Sequence, residues 1–426
     1  MGTLRRNTQA LFISSLVGAA LSFVLSVLIG RGFGQSGLGV YSTALAWIGM
    51  VWLMAEFGVG TLLTREWIAD PEREAKHLAG VIWLRVWLGG GLSLAFIVIS
   101  PLISSESEVI RALIASAPLI AIQPLFGTFS TVYRVRQAMW PIPWLNIGML
   151  AVQVAVTGLV IAGGGDVLAA VAVNTLTSAG QLVAAWWVWK RWFQSDSPVE
   201  SERLRRRQAV DLLRRAWPFA AAGLIAVISM RLPMILMERL GGLSQAGDLA
   251  AVLRFMEAGR MLPNALFGAL LPMVMMLETE TGQVHRTLQR SAAALGIYGI
   301  GFAVALSVLG GMLIEVTFGG AFAGAQAALS LAGWALVPSL LKGLLTLYWY
   351  AKGREQMTNV ISLLGLGILA STAAVLIPQH GAVGAAGAIF IAEAAAMVMM
   401  AGAVVWRRKT ETDSHGGKHG ETGLVS

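Results

Sequence analysis

The chain contains no cysteine and little charge: Asp, Glu, Lys and Arg make up 13% of its 426 residues. The lack of cysteine excludes disulfides and thiolate metal sites. No GxxxxGK(S/T) loop occurs, so direct drive by a P-loop nucleotidase within this chain is excluded. What fills the space left by charge is apolar: 56% of residues are hydrophobic and mean hydropathy is +0.70. Apolar runs of about twenty residues recur between Leu11 and Trp406, each long enough to cross a ~30 Å hydrocarbon core. A soluble domain has no use for so much apolar surface. The expected class is an all-α, polytopic membrane protein.

Interfacial Trp, Lys and Arg place about twelve spans, near 9–30, 39–63, 78–100, 110–132, 143–163, 167–189, 216–237, 248–273, 291–314, 327–350, 357–377 and 384–406. About 35 residues per span leave only short loops and no room for a soluble catalytic domain. The first run is expected to be a retained helix, because it is longer than a signal-peptide core and more spans follow it. Arg5, Arg6, Arg65, Arg73, Lys76, Arg134, Arg136, the stretch Lys190–Arg215, Arg286, Arg290, Lys352 and Arg354 fall on one side; Arg31, Arg111 and Arg239 fall on the other. The positive-inside rule then puts both termini in the cytoplasm and accounts for most of the net charge of +8 without nucleic acid.

Lys190–Arg215 is the one sizeable hydrophilic break, and it divides the chain into two six-helix lobes, expected at 1–193 and 216–408. Within the basic cytoplasmic linker 194–215, Ser197, Pro198 and Glu200 match an N-cap, a first-turn proline and a capping-box acid, which predicts a short interfacial helix. Its basic face suits anionic headgroups. The polar tail 409–426 is expected to be disordered. Weak self-similarity supports the two lobes: "GLGVYSTALAW" from Gly37 resembles "QAGDLAAVLRF" from Gln245, placing Gly39 over Gly247 and Trp47 over Phe255. Leu113 with Gly127 likewise matches Leu329 with Gly343. Six helices per lobe keep both in one orientation, so the implied pseudo-two-fold axis runs along the membrane normal.

Function has to be sought among the charges that the bilayer should have excluded. Arg85, Arg231, Arg254, Arg260 and Lys342 fall within spans, against Glu56, Glu257 and Glu393. A charge at the bilayer centre costs at least ~2.5–3.5 kcal/mol, so such residues face a partner or a polar cavity. The cationic excess favours an anionic ligand. Arg254, Glu257 and Arg260 lie at three-residue intervals, ~60° apart around one half of a helix and over about 9 Å of its length. One acid cannot neutralise two guanidiniums, and planar forks suit phosphate oxygens. Arg254 and Arg260, with Arg231 and Lys342, are the candidate substrate-binding cations. Glu393, Glu56 and Glu257 are the candidates for coupling to a proton or sodium ion. Arg85, flanked by Trp83 and Trp87, reads as an interface anchor.

The chain resembles the Wzx-type polysaccharide-repeat flippases of the multidrug/oligosaccharidyl-lipid/polysaccharide (MOP) exporter superfamily. The resemblance rests on "LIGRGFGQSGLGVYSTALAWIGMVWLMAEFGVGTLLTRE", "QAGDLAAVLRFMEAGRMLPNALFGALLPMV", "TFGGAFAGAQAALSLAGWAL" and "GAVGAAGA", spread over most of the chain. It implies a MATE-like fold and alternating access between lobes around a cationic cavity. It also implies transport, without enzyme activity or a bound cofactor, of undecaprenyl-pyrophosphate-linked oligosaccharide across the bacterial cytoplasmic membrane. A polysaccharide polymerase and chain-length machinery are the implied protein partners. The chain departs from a lipid II flippase in having about twelve rather than fourteen spans, and Arg31 lies at the outer end of its first helix. The competing readings are a multidrug cation antiporter of the same superfamily, which calls for an acidic cavity, and a polytopic glycan polymerase or glycosyltransferase. The latter calls for acids on a large external loop, whereas Glu106, Glu108 and Asp166 sit on short ones.

Overall fold

The computed structural model describes residues 2–70, 72–193, 206–276 and 281–416, and among them there are helices and no strands. In the first half these are α1 (Gly2–Glu56), α2 (Val59–Ala69), α3 (Glu72–Ile103), α4 (Ser107–Ser116), α5 (Leu119–Val135), α6 (Pro141–Ala162) and α7 (Val167–Trp192). The second half holds α8 (Arg206–Met276), α9 (Thr281–Thr317), α10 (Ala325–Ala351) and α11 (Glu355–Gly416). Their outer surface is apolar: Leu102, Ile297 and Val308 are each more than two-thirds exposed. Together with helices long and apolar enough to cross a bilayer, this surface makes the chain a multi-pass membrane protein.

Length and composition mark eight helices among the described residues as able to cross a membrane, or nine with the bent pair Arg207–Ala221 and Gly223–Gly268 taken as one span. That is fewer than the spans read from sequence, because at three of the expected turns two helices join through a one-residue kink and count as one. The interruptions fall at single glycines with positive φ: Gly34 in α1 (72°), Gly242 in α8 (82°) and Gly381 in α11 (54°). A side chain strains such a conformation, and glycine does not. The 55 residues of α1, kinked at Gly34, are enough for two ~30 Å crossings.

The two halves meet through α1 and α8, and this contact is reciprocal. A Cβ on Gly39 would lie 2.1 Å from the Leu243 carbonyl oxygen, and one on Gly247 would lie 2.0 Å from that of Gln35. The same sequence interval separates Gly39 from Gly247, Gln35 from Leu243 and Gly34 from Gly242, so the alignment of Gly39 with Gly247 marks a pseudo-symmetric crossing. Around it one apolar core joins the halves, with Ile29, Leu38 and Ala44 packed in the same cluster as Ala246, Leu249 and Ala251.

At the opposite end, the first turns of α8 dock on the first half. Leu212 and Ala216 pack with Val59, Leu62 and Trp67 of α2, and Arg215 pairs with Glu66. Phe57 and Gly58, both at positive φ, break the chain between α1 and α2; a Cβ on Gly58 would meet the Ala220 nitrogen at 2.7 Å. The predicted helix start at Ser197 lies outside the described residues. Helix α11 runs on to Gly416, so 409–416, expected to be disordered, is helical; the rest of the tail lies outside the described residues.

Candidate functional site

A cavity of about 420 Å³ opens within the second half, between α8, α10 and α11. Its polar lining includes Arg231, Glu257, Arg260, Asn264, Ser339, Lys342 and Glu393, set among apolar residues such as Leu340, Leu366 and Ile389. Three of the four candidate cations therefore line one cavity. They arrive there from α8 on either side of Gly242 (Arg231; Arg260) and from α10 (Lys342). All of its lining comes from the second half, but the cavity reaches the seam with the first. Arg231 Nε sits 3.2 Å from the position a Cβ on Gly49 would occupy.

Partners divide these cations into two kinds. Lys342 Nζ is 2.5 Å from Glu393 Oε2, and Arg254 Nη1 is 2.7 Å from Glu257 Oε2. Arg254 also donates to Ser22 Oγ across the seam at 3.3 Å, and it is absent from the cavity lining. Arg260 donates to the neutral Ser339 Oγ at 3.3 Å. Among the described residues neither Arg260 nor Arg231 makes an ion pair. The uncommitted positive charge is thus that of Arg231 and Arg260, aimed into a partly enclosed space where a guanidinium without an anion is costly.

The three acids considered for ion coupling are each paired with a cation. Besides Glu257 and Glu393, Glu56 Oε1 lies 2.9 Å from Arg85 Nη2 and accepts from the Gly60 amide at 2.9 Å. Arg85 is a correction to the sequence reading. It is 1% exposed and donates to Thr128 Oγ1 at 2.9 Å and to the Pro124 carbonyl, so it is a buried bolt between α1, α3 and α5 rather than an interface anchor. Its tryptophan neighbours do face lipid: Trp83 is 45% and Trp87 74% exposed. Residues 83 and 87 share one helix face, and residue 85 points the other way.

Fold comparison defines the class. The chain has the fold of the MOP superfamily. It is similar to an inward-facing multidrug resistance MATE family transporter (13% identity, 93% of this chain and 95% of that one, TM-score 0.77). It is equally similar to the lipid II flippase MurJ in an inward closed conformation (15% identity, 92% and 87%, TM-score 0.76). A MOP superfamily transporter from Pyrococcus furiosus, described as having a binding pocket of reverse polarity, matches at 13% identity over 96% and 95% with a TM-score of 0.63. No curated protein matches the chain by sequence. Residues 4–278 match the family profile described as "Polysaccharide biosynthesis protein", and the chain belongs to that family. By family and fold, then, the chain is a polysaccharide biosynthesis protein built on the fold of these transporters.

Proposed function

We propose that this protein moves an undecaprenyl-pyrophosphate-linked oligosaccharide from the inner to the outer leaflet of the bacterial cytoplasmic membrane by alternating access. The carrying observation is that two guanidiniums, Arg231 and Arg260, line one intramembrane cavity with no carboxylate of their own. A pyrophosphate offers multiply charged oxygens that the planar guanidinium forks bind in pairs. The glycan travels in the hydrated cavity while the isoprenoid chain stays in lipid. Arg254 and Lys342, each already held by a glutamate, tune the field and become available if those glutamates are neutralised. Coupling to a proton or sodium gradient and both termini in the cytoplasm belong to the same proposal.

The test is surface glycan display in cells that lack the native gene, with membrane abundance measured alongside. Arg231→Ala and Arg260→Ala should each lose display while inserting normally, and Arg260→Lys should be intermediate because it keeps charge without the fork. Full display from both alanine variants refutes the assignment.

A further inference from the structure

The seam between the halves at the end opposite the basic linker is closed by hydrogen bonds unrelated to the cavity. Arg31, at the end of the first run of α1, donates to the carbonyls of Thr317 (2.6 Å) and Val316 (2.5 Å) at the C-terminus of α9. Arg239, its counterpart by the repeat, donates to Leu102 (3.1 Å) and to Ile103 at the C-terminus of α3. Each half therefore reaches across with an arginine to cap a helix of the other. A C-terminal helix end carries unpaired carbonyls and partial negative charge, so it holds a guanidinium well.

Within this seam two buried carboxyls, Glu238 and Asp248, break the symmetry; the repeat places Gly30 opposite the first. Asp248 is 2% exposed, and Gln35 Nε2 of the other half donates to its Oδ1 at 2.6 Å. Ser244 donates to the same Gln35, at Oε1, at 2.8 Å. The repeat places Val40 at the equivalent position in the first half. The groups facing Asp248 are Gln35 from α1, Ser244 through Gln35, and Gly324 before α10, where a Cβ would lie 3.3 Å from Oδ2. None is charged. The other acid of the seam, Glu238, takes a hydrogen bond from Ser104 Oγ at 2.5 Å, and both arginines are occupied by carbonyls. Among the described residues Asp248 and Glu238 thus each have a neutral cross-seam partner and no cation, unlike Glu56, Glu257 and Glu393; Asp248 is the one of the two that joins α1 to α8 directly.

We infer that Asp248 is the residue through which a proton controls this gate. The carboxyl is neutral when the seam is closed, and its ionisation, which places a charge between the halves with nothing to meet it, releases α1 from α8 and the two arginine caps with them. The inference rests on the alternating-access reading. Its test needs no substrate, so it can fail while that reading stands, and the reverse also holds.

The cysteine-free chain allows Ser105→Cys and Leu240→Cys, at exposed positions beside the Ser104–Glu238 contact, to carry the only spin labels. Pulsed electron–electron distance measurement in nanodiscs, from about pH 5 to about pH 9, reads the seam. The long-distance population should grow roughly tenfold or more with rising pH. In Asp248→Asn, which keeps the acceptor for Gln35, and in Asp248→Ser it should stay low throughout; two neutral variants guard against a folding defect in one. The inference is overturned if the parent distance ignores pH or if both neutral variants titrate like the parent. It is equally overturned if Glu238→Gln or Glu393→Gln alone removes the response.

Discussion

Adding one methyl group at Gly39 is the sharpest structural perturbation available. A Cβ there would sit 2.1 Å from the Leu243 carbonyl oxygen and 3.1 Å from the Gly247 nitrogen, both backbone atoms that cannot rotate aside. Ordinary contact needs more than another ångström, so α1 and α8 must separate or the Gln35–Asp248 and arginine contacts must loosen. Overpacking costs about 1–3 kcal/mol, and rigid backbone neighbours put this site at the upper end. Helix propensity returns ~1 kcal/mol for Gly→Ala, leaving about 2 kcal/mol of destabilisation. Gly247→Ala meets the Gln35 carbonyl at 2.0 Å and should cost the same. Because both methyls force one crossing apart, the double variant should fall short of the sum. Gly90→Ala and Gly158→Ala, where a Cβ would meet nothing within 4 Å, serve as neutral or mildly stabilised controls. The assay is the fraction of detergent-purified protein that stays monodisperse after heating. If Gly39→Ala and Gly247→Ala tolerate heat as well as the controls, the crossing is not a tight reciprocal contact and the pseudo-symmetric account of the seam is wrong.

Arg85→Ala should cost about 3–5 kcal/mol by stranding Glu56, whereas Glu56→Gln with Arg85→Met should recover much of that; folded yield and heat tolerance measure both. Glu393→Gln frees Lys342 beside the cavity and should tighten binding of an isoprenoid pyrophosphate several-fold, by about 1 kcal/mol, as read by titration calorimetry. Arg31→Ala and Arg239→Ala should each raise the open population of the seam at acidic pH, by similar amounts, in the spin-label experiment.

Much of the architecture is legible in the chain because hydrophobic length and the placement of Lys and Arg are local properties. The pairing of Gly39 with Gly247 is readable for a different reason: close backbone approach permits only glycine at both places, so the two halves carry the same residue there. Partner choice is not local. Lys342 and Glu393 lie on different helices, and nothing in the sequence around Glu393 announces a cation, yet they meet at 2.5 Å. The same limit made Arg254 and Arg260 look equivalent, whereas Glu257 turns to Arg254 and leaves Arg260 to Ser339. Arg85 was open to sequence reading, since its two tryptophan neighbours share a face that it does not. Asp248 carries no signal in the chain, because its significance lies in what surrounds it.

Direct binding of a short isoprenoid pyrophosphate, such as farnesyl pyrophosphate, to purified protein in nanodiscs tests the central claim most directly. Hydrogen bonds to charged groups contribute about 2 kcal/mol each, so Arg231→Ala and Arg260→Ala should each weaken binding roughly thirtyfold, with Arg254→Ala weakening it less. Equal affinity of the parent and the Arg231→Ala/Arg260→Ala double variant contradicts the claim that these two arginines hold the substrate's phosphates.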